Sequence, residues 1–159
     1  MTDDARQRRL AAPHAAEGVI FALVRDGHVL VEHRPSHDVY AGMDVLPGGT
    51  LDPEDFAQPD PPAAALLREV QEELNAVLLD YEWLSSFPCF DPFRTPTRLV
   101  LIHFYVVFRW EGEIPSHSQE GGEDFGRLHW LPVERGGELP HPCHRRMMRE
   151  LVRRLGRAR

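Results

Sequence analysis

Lysine is absent from this chain of 159 residues; all 18 basic side chains are arginine, a bias from which no function follows. Cysteine is scarce. Cys89 and Cys143 show neither a CxxC nor a metal-ligand spacing, so they read as free thiols of a reducing cytoplasm. Positive charge is in deficit: 25 acidic against 18 basic side chains leave −7. That excludes the basic footprint of a protein that binds nucleic-acid polymers. Long apolar runs are missing too. The longest, "LVLIHFYVVF", is interrupted by His103 and falls short of the ~20 residues that a membrane span needs. The opening "MTDDARQRRL" lacks the apolar core of a secretory signal. What remains, with 42% hydrophobic and 27% charged residues, is the profile of a cytoplasmic globular protein with no membrane partner. The length suits one domain with a real core.

Residues 1–16, polar and Ala-rich, read as a flexible lead-in, and 17–159 as the domain. "EGVIFALV" and "HVLVEHR" form a hairpin across "RDG", where Gly27 can take positive φ. "MDVLPGG" is a short strand running into a glycine turn. "TLDPEDFAQPDPP" is acidic and proline-rich, hence loop. A helix is expected over about Pro61–Leu74, then strands at "LLDYEWLSSF" and "TRLVLIHFYVVFRW", which are rich in β-branched and aromatic residues. "PCFDPFRTP" and "EGEIPSHSQEGGED" read as loops, "GRLHWLPVE" as a late strand, and "HPCHRRMMRELVRRLGRAR" as a closing helix. Met147, Met148, Leu151, Val152 and Leu155 form its apolar side. Strands and helices mix without strict alternation, which points to a mixed sheet with helices packed on it.

"LLREVQEELNA" carries the chemistry. Asp60 is a good N-cap, Pro61 suits the first helical position, and Asn75 suits a left-handed stop. Ala63, Leu67, Val70 and Leu74 recur at helical spacing as a core stripe. Glu69, Glu72 and Glu73 form a second stripe within one turn, where like charges repel. A solvated acidic face is one reading. The other is a hard cation such as Mg²⁺ (or Mn²⁺), on which carboxylates at i, i+3 and i+4 can converge. Such an ion acts as a Lewis acid on phosphate oxygens and acidifies water.

These residues resemble the box of the Nudix hydrolase family: Gly, five residues, Glu, seven residues, Arg-Glu, an aliphatic, any residue, Glu-Glu, any residue, Gly, an aliphatic. Gly49, preceded by Pro47-Gly48, would open the box, and Arg68-Glu69-Val70-Gln71-Glu72-Glu73-Leu74-Asn75-Ala76 would close it. The loop after Gly49 is about five residues longer than the family spacing. Asp60 stands where the family has Glu before the helix, Asn75 replaces the closing Gly, and Ala76 the aliphatic. The resemblance implies an α/β/α sandwich with a mixed sheet. It also implies Mg²⁺-dependent hydrolysis of a diphosphate in a nucleoside diphosphate derivative, a small-molecule nucleotide. The alternative is a nucleotide sensor of the same fold that does not cleave.

Carried over by position, Glu69, Glu72 and Glu73 would hold metal, Glu69 would also serve as base, and Arg68 would orient Glu69 by an ion pair. Gly48 and Gly49 would border the substrate. A further carboxylate is expected from "SQEGGED", with Glu123 preferred and Glu120 as runner-up. Arg34, at the end of "VLVEHR", is a candidate for substrate contact. Phe90 is a candidate stack for a base, with packing under its loop as the alternative. The insertion at 50–60 reads as a mobile flap with Phe56 as its apolar anchor. A homodimer is expected through the apolar side of the last helix or the long strand.

Overall fold

Alternation along the first strand divides the molecule into two cores. In the computed structural model, which describes residues 16–94 and 99–157, β1 runs over Ala16–Arg25. Of the lead-in expected over 1–16, all but Ala16 lies outside the described residues. Val19, Phe21 and Leu23 point to one face of the sheet, and Ile20, Ala22 and Val24 to the other. Asp26 and Gly27 turn the chain, with φ of 50° and 73°, the pair of positive values that a two-residue hairpin requires. The returning strand is β2 (His28–His33). Two short strands follow, β3 (Asp44–Val45) against β2 and β4 (Gly48–Thr50) against β1. The long strands β5 (Val77–Phe90) and β6 (Leu99–Glu111) pair antiparallel, and β6 runs parallel to β1. The hairpin of β7 (His117–Glu120) and β8 (Glu123–Pro132) completes an eight-stranded mixed sheet in the order β5-β6-β1-β2-β8-β7.

Helices cover both faces. On one, α2 (Pro61–Leu74) buries Ala65, Leu66, Val70 and Leu74 against Val19, Phe21, Leu30 and Tyr105. On the other, α3 (Pro142–Arg157) buries Met147, Met148 and Leu151 against Ala22, Val31, Phe87 and Phe104. This is the expected α/β/α arrangement. A short 3-10 helix, Val133–Glu138, leads into α3. Among the described residues no helix is long and apolar enough to cross a membrane.

Several details depart from the sequence reading. The buried side of α2 is rotated from the expected stripe. Leu67 is 43% exposed, whereas Glu69 is only 9% exposed, so a glutamate stands in the core-facing row. Val152 is likewise outside the packed side of α3. β5 continues through "PCF", and β7 occupies part of an expected loop. Neither surface expected to carry a dimer contact is free: β6 is paired on both edges, and the apolar side of α3 is spent on the sheet. Cys89 and Cys143 are not free thiols. They form a disulfide between the end of β5 and the start of α3, with 6.4 Å between their Cα atoms. Their sequence separation of 54 gives no spacing signal; only the docking of α3 brings them together.

The insertion contains a helical turn, α1 (Pro53–Phe56), capped by Asp52. Its anchor is not Phe56, which is 46% exposed. Asp55, 4% exposed, turns inward and takes hydrogen bonds from Arg68 Nη2 at 2.7 Å and Nε at 3.3 Å. Hydrogen bonds to a charged partner contribute ~1.5–3 kcal/mol. Asp55→Ala is therefore expected to destabilise the protein by ~2 kcal/mol, and Phe56→Ala by less than ~1 kcal/mol. Urea unfolding of the two variants checks this order.

Candidate active site

A cavity of about 770 Å³ runs from the glutamates of α2, past β4 and the end of β2, to the first turn of α3. The local sequence of α2 places its acids. Asp60 caps the helix by accepting from Ala63 N at 3.3 Å, and Asn75 ends it at φ 51°. Between these stops the helix has one rotation that buries Leu66, Val70 and Leu74, and that rotation turns Glu69 and Glu73 towards the cavity. Glu72 lies on the exposed rim.

Across from Glu69, Gly48 and Gly49 line the wall. A Cβ at Gly49 would collide with the Glu69 carboxyl, and one at Gly48 with the Val19 carbonyl. Both glycines are needed for close approach rather than for an unusual backbone. Arg68 does not enter the cavity lining. Its Nη1 binds Glu69 Oε1 at 2.8 Å and Glu72 Oε2 at 3.2 Å, and its Nη2 also reaches the Thr50 carbonyl at 3.1 Å. It stands in the expected position to orient Glu69. The hydrogen bonds from Arg68 hold Asp55 below the usual carboxylate range.

Asp55 also corrects the register of the box. Counted from Gly49, it is the acid after five intervening residues, and it grips the arginine. Asp60, placed at that position by counting back from Arg68, is a helix cap instead. The extra residues thus lie between Asp55 and α2.

Burial pushes the Glu69 carboxyl above the usual range, with Arg68 working against the shift. Glu73 is raised well above it, by burial first and then by the charges of Glu69 and Glu32. Glu73 Oε2 is buried and has no hydrogen-bond partner among the described residues. An ionised carboxylate in that state costs several kcal/mol. Two carboxyls, an orphaned oxygen and a glycine-lined gap, with Glu72 at the rim, make an all-oxygen donor set that fits a hard divalent cation.

Glu32 was not singled out from the sequence, yet it is 2% exposed and lines the same cavity. It accepts from Arg34 Nη1 at 2.9 Å and from the Ser118 hydroxyl, and only a glycine at 126 leaves room for it. Its signal was the alternation of "VLVEHR": Glu32 shares a face with the buried Leu30. Arg34 lines the cavity as expected, with Asp38 Oδ2 2.8 Å from its Nε and the Phe125 ring 4.6 Å from its guanidinium carbon.

Two expected residues stand elsewhere. Phe90 is 66% exposed and absent from the cavity wall. Strand β5 extends through it, so Cys89 and Asp91 turn inward and Phe90 outward. The wall takes in Ser118 to Gly122 but not Glu123. Positive φ at Gly121 and Gly122 reverses the chain there, so the β7 arm, with Glu120, faces the glutamate helix.

The far end is built differently. His144 is buried in the first turn of α3, and burial pushes its pKa down to about 3. Its Nδ1 accepts from Leu46 N at 2.9 Å, so the neutral ring carries its proton on Nε2. Asp91 is held below the usual carboxylate range: burial opposes the shift, but the Tyr40 hydroxyl and Phe93 N donate to it.

A family model described as NUDIX domain matches residues 13–155. The chain is 31% identical over 128 residues to 8-oxo-dGTP diphosphatase of Haemophilus influenzae, covering 79% of this chain and 82% of that protein. It is 25% identical to CTP pyrophosphohydrolase of Escherichia coli, with 77% and 80% covered. Among solved structures, the MutT NUDIX hydrolase of Burkholderia pseudomallei superposes with a TM-score of 0.67 at 25% identity, covering 86% of this chain and 98% of that one.

A raised carboxyl binds its proton more tightly in the folded than in the unfolded state. Stability from Glu73 is therefore greatest below the ordinary glutamate value of ~4.3 and falls as pH rises through the raised one. In metal-depleted protein at pH 7, Glu73→Gln should raise Tm, and the gain should vanish as pH approaches ~4.3. Differential scanning calorimetry after chelation reads both. A lower Tm for the variant at pH 7 would contradict the buried-charge assignment.

Proposed function

Since the chain belongs to the Nudix family and is a Nudix-type hydrolase, we propose that it hydrolyses a phosphoric anhydride bond of a small nucleotide with a divalent cation, Mg²⁺ or Mn²⁺. The observation that carries this reading is the buried carboxyl pair Glu69 and Glu73 facing a glycine-lined gap, with Glu73 Oε2 left without a hydrogen-bond partner among the described residues. A protein that only sensed a nucleotide would have no need of so costly a cluster. The names of the relatives, a diphosphatase and a pyrophosphohydrolase of nucleoside triphosphates, favour a triphosphate chain as substrate.

In this reading Glu69, Glu72 and Glu73 would hold the cation, with Glu120 replacing Glu123 as the acid from the β7–β8 turn. When bound, the cation supplies neutralisation of the phosphate charge and acidification of water. The protein's own groups do the rest. Glu69, kept in place by Arg68, takes the proton of the attacking water. Arg34, beside the acids, faces the phosphate chain and stabilises the charge that develops on it. Gly48 and Gly49 let the chain pass close to the backbone of β4. The base occupies the far end, where neutral His144 offers one fixed donor and Tyr40 and Asp91 form a closed polar wall. Positioning and electrostatics suffice for transfer of a phosphoryl or nucleotidyl group to water.

A panel of nucleoside triphosphates and nucleoside diphosphate derivatives, each with Mg²⁺ or Mn²⁺, tests the proposal by the pyrophosphate, phosphate and nucleotide released. A chelator should abolish turnover. Glu69→Gln and Glu73→Gln should each lower kcat at least ~100-fold, Glu120→Gln should lower it clearly, and Glu123→Gln should leave it near wild type. Tight nucleotide binding without hydrolysis of any member of the panel would support the sensor instead.

A further inference from the structure

The far wall of the cavity gathers two sulfurs, an imidazole and a carboxylate. Cys89 lies near the end of β5, Cys143 in the first turn of α3, and His141 two residues before it. The ligand atoms of Cys89, His141 and Cys143 all lie within 4.8 Å of one another. Asp91 Oδ1 stands 3.6 Å from His141 Nε2. All four residues line the cavity.

A tie between strand and helix needs only the two sulfurs, and the imidazole and carboxylate add nothing to it. Two thiolates and an imidazole, however, are a soft donor set of the kind that selects Zn²⁺. A histidine ligand whose other ring nitrogen meets a carboxylate is the regular outer support of such a site. Here Nε2 faces Asp91, and Nδ1 accepts from Cys143 N at 3.1 Å, a hydrogen bond that coordination of an ion by this nitrogen would displace. Asp91 is itself steadied by Tyr40 and Phe93 N. The Cα separation of 6.4 Å is near the wide end of the ~4.4–6.8 Å disulfide range, so the sulfurs can part without large backbone movement.

We propose that the reduced protein binds one thiophilic divalent cation, Zn²⁺, through Cys89, Cys143 and His141, with the fourth position open to the cavity. This site is separate from the glutamate cluster, whose oxygen donors suit a harder ion. The redox step balances. A dithiol reductant gives two electrons and two protons to the disulfide, breaking the S–S bond and becoming a disulfide itself. Two thiols result, and binding of Zn²⁺ releases their two protons. A small-molecule disulfide takes the two electrons back by thiol–disulfide exchange and leaves as two thiols, which re-forms the S–S bond and expels the ion. The substrate cavity thus carries a wall whose state follows both thiol redox poise and zinc.

Cobalt is the probe. Protein reduced with a dithiol and desalted without air is titrated with Co²⁺ and followed by absorption. One equivalent should produce an intense thiolate-to-cobalt charge-transfer band and visible bands of tetrahedral cobalt, and Zn²⁺ should bleach both. Oxidised protein should lack the charge-transfer band, Cys143→Ser should show it at half the intensity or less, and His141→Ala should bind at least tenfold more weakly. Glu72→Gln should leave the spectrum unchanged, which separates this site from the proposed hydrolytic one. Absence of the band in reduced wild type at stoichiometric Co²⁺, or its persistence in oxidised protein, overturns the proposal. The oxidised control holds even where Cys143→Ser does not fold.

Discussion

The carboxyl of Glu73, with one oxygen buried and unpartnered among the described residues beside Glu69 and Glu32, is the constraint around which the site is arranged. Ionising a buried, incompletely paired carboxyl costs several kcal/mol, against a total stability of ~5–15 kcal/mol for a whole domain. The fold tolerates it because the surroundings leave space instead of apolar filling. Glycines at 48, 49 and 126 stand where any Cβ would collide with backbone or with a carboxyl. Replacing Glu73 by a neutral side chain would remove that cost, and on the proposed function a cation ligand with it, a trade-off common at active sites.

Arg68 balances the acids from behind. Its planar fork meets Asp55, Glu69, Glu72 and the Thr50 carbonyl, which uses the five donors of a guanidinium as no ammonium could. That arrangement also explains how the longer loop is accommodated. Asp55 fixes one end of the extra segment to Arg68, and Asp60 fixes the other by capping α2. Lengthening a loop whose ends are already held adds little closure entropy.

The two ends of the cavity use different physics. The α2 end depends on like charges held close in a poorly solvated place. The α3 end depends on neutral or fully paired groups: His144 deprotonated by burial, Asp91 saturated by donors, and the two sulfurs joined. The proposed substrate, with a strongly charged phosphate chain and a neutral base, matches that division. The sheet supplies it by placing α2 and α3 on opposite faces, so that the cavity opens between layers of different composition.

Much of what depends on neighbours along the chain was legible in the sequence, although the helical turn α1 and the strand β7 were read as loop. The turn at Asp26-Gly27, the span of α2 between Asp60 and Asn75, the clustering of Glu69, Glu72 and Glu73, and the mixed strand and helix pattern all follow from local conformational preference and hydrophobic period. Position in the box pointed to the Arg68–Glu69 pair. What joins distant segments was not legible. The Cys89–Cys143 bond, the inward turn of Glu32 onto Ser118, the grip of Asp55 on Arg68, the outward turn of Phe90 and the facing of Glu120 rather than Glu123 were decided by docking and register. Even the rotation of α2 that exposes Leu67 and buries Glu69 needed the sheet beneath it. A helix period admits neighbouring stripes of similar hydrophobicity, and only the shape of the partner surface selects among them.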